Sequence, residues 1–75
     1  MLVIKCAACK TKLFRYLKIG KGEVLRCYNE RIVKIYDLVQ EGEDSKCPCG
    51  NIVGKNKPGY IQMRKGAFFY TGSKL

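Results

Sequence analysis

The sequence predicts a single small all-β domain, residues 1–75, that needs a staple besides its hydrophobic core. Three observations lead there. The apolar runs are rich in Val, Ile, Tyr and Phe and are punctuated by Gly, Pro and Asn, which is strand chemistry separated by turn chemistry. No segment combines a sustained period of 3.6 with a capping residue at its start. The chain has only 75 residues, five of them cysteine, and a domain below roughly 70–80 residues usually depends on disulfides, a metal or oligomerisation.

Taken in order, the chain shows a twofold rhythm. A cysteine pair, "CAAC", precedes "LFRYLKI", a turn at "GKGE" and the run "VLRCYNERIVKIYDLV". A second pair, "CPCG", precedes "NIVGKNKPGYIQM", a turn at "RKG" and "AFFYTG". Each pair is therefore expected to be a knuckle followed by a β-hairpin. With residues 20–23 as a four-residue loop, Ile19 sits opposite Val24, Leu17 opposite Arg26, Tyr16 opposite Cys27 and Arg15 opposite Tyr28. Alternation then puts Phe14, Tyr16, Lys18, Leu25 and Cys27 on an inner face, and Arg15, Leu17, Arg26 and Tyr28 on an outer one. The acidic stretch "QEGED" reads as a solvated connecting loop, and "YIQMRKGAFFY" as a second hairpin.

The cysteines do not suit a disulfide framework. Five is an odd number, and a bridge between Cys47 and Cys49 would close a very tight ring. The N-terminal "MLVIKCAAC" lacks the basic and apolar regions of a secretory signal, so a reducing, cytoplasmic location is expected. Four thiolates around one zinc ion fit better. Such a site is a tetrahedron with Zn–S at about 2.3 Å, and two closely spaced ligands reach one ion when a tight turn accompanies them. Gly50 supplies that turn after "CPC", where its backbone is expected to aim N–H groups at the sulfurs, and Pro48 stiffens it. Ala7 and Ala8 are small enough to allow the same bend in "CAAC". Cys6, Cys9, Cys47 and Cys49 are thus the expected ligands of one zinc ion. The absence of histidine excludes a mixed Cys–His site. Cys27 is either a buried small hydrophobe or an alternative ligand replacing Cys47 or Cys49.

With "CAACKTKLFRY", "RCYNERI" and "CPCGNIVG" in view, the chain resembles the small stand-alone prokaryotic zinc-ribbon proteins. Its first half is also similar to the zinc-finger translational regulators of transposable phages, although "YNERI" follows Cys27 where those place a partner cysteine. The ribbon resemblance implies a metal and a zinc-ribbon-like fold, and no particular function.

Charge points to a partner class. There are 15 Lys and Arg against 6 Asp and Glu, a formal +9. Residues 1–36 carry nine basic and two acidic side chains, residues 45–75 six basic and no acidic ones, and the other four acids lie between. Such an excess attracts polyanions, and it also simply keeps a small protein soluble. The leading expectation is nucleic-acid binding, with Lys12, Arg15, Lys18, Arg26 and Arg31 on phosphates and Tyr28 or Tyr16 stacking on unpaired bases. Phe14, Phe68, Phe69 and Tyr60 are assigned to the core. A protein-interaction adaptor, docking through "YIQMRKGAFFY" by strand addition, is the second expectation. A rubredoxin-like iron electron carrier is the third. No enzyme is expected: histidine is absent, no acid, base and nucleophile set can be assembled, and four thiolates close a zinc site to water. No run approaches the ~20 apolar residues of a membrane span.

Overall fold

The computed structural model describes residues 1–18 and 24–72. Those residues fold into nine strands and one 3-10 turn: β1 Leu2–Cys6, β2 Lys12–Tyr16, β3 Arg26–Tyr28, the 3-10 turn Asn29–Arg31, β4 Ile32–Ile35, β5 Val39–Glu41, β6 Asp44–Lys46, β7 Ile52–Lys57, β8 Tyr60–Met63 and β9 Phe68–Gly72. The all-β expectation holds. Among the described residues no helix is long and apolar enough to cross a membrane.

The strands form two antiparallel sheets, one ordered β4-β2-β1-β9 and the other β3-β8-β7-β6-β5. Alternation sets their inner faces. In β1, Leu2, Ile4 and Cys6 are buried while Val3 and Lys5 are half-buried on the other side. In β2 the register with β1 slips between Ile4 and Lys5, so Leu13 is an extra residue. That bulge lets two consecutive apolar side chains, Leu13 and Phe14, both be buried. From the second sheet, Cys27, Val53, Ile61 and Met63 join Leu2, Ile4, Leu13, Phe14, Tyr16 and Val24 in one cluster. Each fully buried Leu, Ile, Val or Phe contributes roughly 1.5–3 kcal/mol. Ordering the backbone costs roughly 1–2 kcal/mol for every residue, so a core of this size leaves little surplus.

Several sequence expectations are corrected. β2 does not pair with β3: its neighbours are β1 and β4, and β3 pairs with β8. The proposed partners of Arg15, Tyr16 and Leu17 therefore lie in the other sheet, while the turn at residues 20–23 and the Ile19–Val24 pair lie outside the described residues. β1 matches β2 better, placing Leu2 opposite Tyr16 and Ile4 opposite Phe14 in the buried layer. The facial assignment survives the wrong pairing for Phe14, Tyr16 and Cys27, which are buried, and for Arg15, Arg26 and Tyr28, which are exposed. It fails at Leu25, which is 50% exposed, and at Lys18, which is half-exposed.

The "YIQMRKGAFFY" segment is likewise not a hairpin, because β8 and β9 belong to different sheets. "QEGED" is not an open loop but the turn of the β5–β6 hairpin. Asn56 of β7 holds that turn: its Nδ2 donates to the carbonyls of Gly42 and Asp44, both at 3.2 Å, and its Oδ1 accepts from Gln40 and from the buried Ser45 hydroxyl. A hairpin anchored by amide and hydroxyl groups leaves no apolar alternation to read. The run "NIVGKNKPGYIQM", read as preceding a turn at "RKG", itself folds back as the hairpin of β7 and β8, turning at Pro58 and Gly59.

The Tyr16 side chain ties the two sheets by hydrogen bonds at the β3 edge. β3 has β8 on one side only. On its other side the hydroxyl of Tyr16, 1% exposed, donates to the Arg26 carbonyl at 3.3 Å and accepts from the Tyr28 N–H at 3.1 Å. Tyr16 is therefore a buried brace rather than the stacking residue the sequence suggested. Replacing it by Phe strands two backbone groups at little steric cost, so Tyr16→Phe should lower the unfolding free energy by about 1–3 kcal/mol, measured by urea unfolding followed by circular dichroism.

Candidate metal centre

Both cysteine pairs sit in hairpin turns. "CAAC" and Lys10 link β1 to β2, and "CPCG" with Asn51 links β6 to β7. The first cysteine of each pair is buried and the second exposed. Backbone bonds close the two turns alike: Cys6 N–H donates to the Thr11 carbonyl at 3.0 Å, and Cys47 N–H to that of Asn51 at 2.9 Å. Inside them, Lys10 N–H donates to the Cys6 carbonyl and Gly50 N–H to the Cys47 carbonyl, both at 2.8 Å. The second turn is the first with one residue removed, which accounts for C-x-C standing where C-x2-C stands upstream. The expectation of a hairpin following each pair is right for β7–β8 and wrong for the first pair, whose turn joins β2 back to β1.

The residue after each second cysteine has positive φ, +99° at Gly50 and +63° at Lys10. Gly50 takes this conformation without cost, and a Cβ there would touch nothing within 4 Å, so its requirement is conformational alone. Lys10 adopts the left-handed region without a glycine's freedom, a strain the sequence reading assigned to no residue.

The two turns bring the sulfurs of Cys6, Cys9, Cys47 and Cys49 within 4.8 Å of one another. The short approaches cross between turns, Cys6 to Cys49 at 3.7 Å and Cys9 to Cys47 at 3.3 Å. A tetrahedron with metal–sulfur distances of about 2.3 Å has sulfur–sulfur edges of about 3.8 Å. Four soft donors at this spacing, all unbridged thiols, can hold a metal ion.

The surroundings favour thiolates on the first pair. Burial works against ionising Cys6, but the Asn51 amide and the N–H groups of Cys9 and Ala8 more than offset it and bring the thiol down to about 6. The Asn51 Nδ2 and Ala8 N–H each lie 3.3 Å from Cys6 Sγ. Cys9 is also lowered, chiefly by the Thr11 hydroxyl at 3.0 Å. Cys47 is pushed up to about 12 by burial and by its three neighbouring thiols, against one N–H from Cys49. The Cys47 thiol thus favours keeping its proton, which a metal ion bound there would displace. Gly50 serves the turn; its N–H goes to a carbonyl, and the sulfurs are met instead by N–H groups of residues 8, 9, 11 and 49.

Asn51 and Thr11 were not singled out from the sequence. Asn51 also donates to the Ala67 carbonyl at 2.8 Å, which accepts from Ala7 as well at 3.1 Å, so the lead-in to β9 packs against both turns. An amide placed directly behind "CPCG" and a hydroxyl two residues after Cys9 are the signals that would have pointed to them.

Cys27 lies outside the four-sulfur group, in the core, with its thiol pushed up to about 12 by burial. The remaining predicted residues divide between two sheet faces. Lys12 and Arg15 are exposed on β2, in the first sheet. Arg26 and Tyr28 are exposed on β3, in the second, with Lys18 lining the same shallow hollow. The Arg31 guanidinium lies 5.3 Å from the Tyr28 ring centre. Of the residues assigned to the core, Phe14 is buried, Phe68 packs partly against the core, and Phe69 and Tyr60 are half-exposed. No protein-family model, curated protein or solved structure matches this chain.

Two predictions follow from the turns. Lys10→Gly should raise the unfolding free energy by about 1 kcal/mol and Gly50→Ala lower it by about 1–2 kcal/mol in urea melts, since only the φ penalty changes sign. Metal analysis of purified variants should find about one ion per chain in the wild type and in Cys27→Ser, and almost none in Cys6→Ser or Cys47→Ser.

Proposed function

We propose that this protein is a zinc-binding, non-catalytic module of the zinc-ribbon class, cytoplasmic, that binds nucleic acid through its phosphates. Zinc is favoured by the donor set, four thiols with no histidine, because closed tetrahedral sites of this composition are structural zinc sites. Iron in a rubredoxin-like role would use the same sulfurs and would colour the protein.

The nucleic-acid reading is carried by the charge on the first sheet. Its four strands read LVIKC, KLFRY, IVKI and FFYTG, with four cations and no carboxylate. The cations are paired like with like across strands, Lys5 opposite Lys12 and Arg15 opposite Lys34, on the face turned away from the core. Like charges directly opposite each other destabilise a sheet, so this face is improved by an anion. Lys5 and Lys34 thereby join the residues expected from sequence. The carboxylates of Glu41, Glu43 and Asp44 are gathered in the β5–β6 hairpin of the other sheet. A protein-docking role has lost the hairpin on which the sequence reading placed it; what speaks for that role is β9, an edge strand of the first sheet.

The test is anisotropy of labelled single-stranded and duplex oligonucleotides with the zinc-loaded protein. Binding should weaken linearly in log salt, by about 0.7–0.9 of a power for each phosphate contacted. Lys12→Glu with Arg15→Glu should weaken it and flatten that slope, and no binding to either form at about 50 mM salt would remove the proposal.

A further inference from the structure

We propose that Tyr28 and Tyr60, flanked by Arg26 and Arg31, form a stacking platform for unpaired bases, so that the preferred ligand is single-stranded nucleic acid. The inference rests on the nucleic-acid reading above and narrows it. Tyr28 in β3 and Tyr60 in β8 are direct cross-strand partners, so both rings leave the same face of the second sheet. Their centroids are 5.9 Å apart and their planes tilted by 53°. Tyr28 is 37% exposed and Tyr60 half-exposed, whereas Phe14 and Tyr16 are buried in the core.

The rings are bracketed by cations. The Arg31 guanidinium lies 5.3 Å from the centre of Tyr28, and that of Arg26 lies 5.6 Å from the centre of Tyr60. The order Arg31, Tyr28, Tyr60, Arg26 sets two neighbouring π-surfaces between two cations, as neighbouring bases are flanked by phosphates. An exposed cation–π contact is weaker than base–aromatic stacking. A base that takes the place of a guanidinium on a ring therefore gains stacking and frees that guanidinium for the neighbouring phosphate. Paired bases keep their faces inside the duplex, so a duplex meets only the cations here.

The platform is held in place before a ligand arrives. The Tyr16 hydroxyl fixes the backbone at Arg26 and Tyr28, Cys27 between them is anchored in the core, and Asn29 N–H donates to the Gly59 carbonyl at 3.0 Å. Onward along the chain, β4 carries Lys34, whose ammonium lies 5.3 Å from the Tyr36 ring; Lys12 approaches the same ring at 6.0 Å. The segment from Arg26 to Tyr36 thus links the platform to the cationic face of the first sheet, and Glu30 is its one carboxylate.

Metal-loaded protein would be titrated into labelled oligo-dT, oligo-U and a duplex, each of about 12 nucleotides or base pairs. Both single strands should bind more tightly than the duplex at equal salt. Tyr28→Leu and Tyr60→Leu should each weaken single-strand binding by about five- to a hundredfold while leaving duplex binding and its salt slope unchanged; Tyr28→Phe should bind like the wild type. Unlabelled oligo-dT should quench the intrinsic tyrosine fluorescence, a readout on the unaltered protein that holds even if Tyr60→Leu fails to fold. Equal binding of duplex and single strand, a silent Tyr28→Leu or unquenched fluorescence would overturn the platform and leave the phosphate-binding proposal standing. No binding of any oligonucleotide at low salt would remove both.

Discussion

The arrangement of this molecule depends on where its two cysteine turns meet. One turn ends a hairpin of the first sheet and the other a hairpin of the second. Bringing four sulfurs within 4.8 Å joins the two sheets through these turns. A metal ion held there would contribute folding energy directly, since the unfolded chain has no preformed site. At the β3 edge, the Tyr16 hydroxyl provides a second, neutral link between the sheets.

Much of this was legible in the residues. The strand chemistry, the two cysteine pairs and the inward faces of Phe14, Tyr16 and Cys27 followed from residue type and alternation. What failed was pairing. Adjacent β-runs with a glycine turn between them suggest a hairpin, but β2 has a better buried match in Leu2 and Ile4 than in the β3 strand. Partner choice among several amphipathic strands is decided by the whole core, which a local pattern does not contain. The β5–β6 hairpin was invisible for a different reason: its buried contact is Ser45 with Asn56, hydrogen-bonded rather than apolar.

The site was read more completely than the fold, because thiols close in sequence have few alternatives in a chain without histidine. The polar groups that tune those thiols were missed. Asn51 and Thr11 act through hydrogen bonds whose geometry only the closed turns create. The basic residues were found as a composition, without their division between the two sheets. Like-charge pairs across β1, β2 and β4 emerge only once the register is known, and such pairs cost a sheet stability.

The four sulfurs are not equivalent toward the outside. Cys6 and Cys47 are buried, and Cys9 and Cys49 are exposed. An ion seated among them would have a closed floor and an open rim. Competing ligands and oxidants would reach it by way of Cys9 and Cys49, one from each turn. The first thiol lost would loosen one hairpin while the inner pair still bridged both sheets, so departure of the ion would proceed in stages, outermost bonds first.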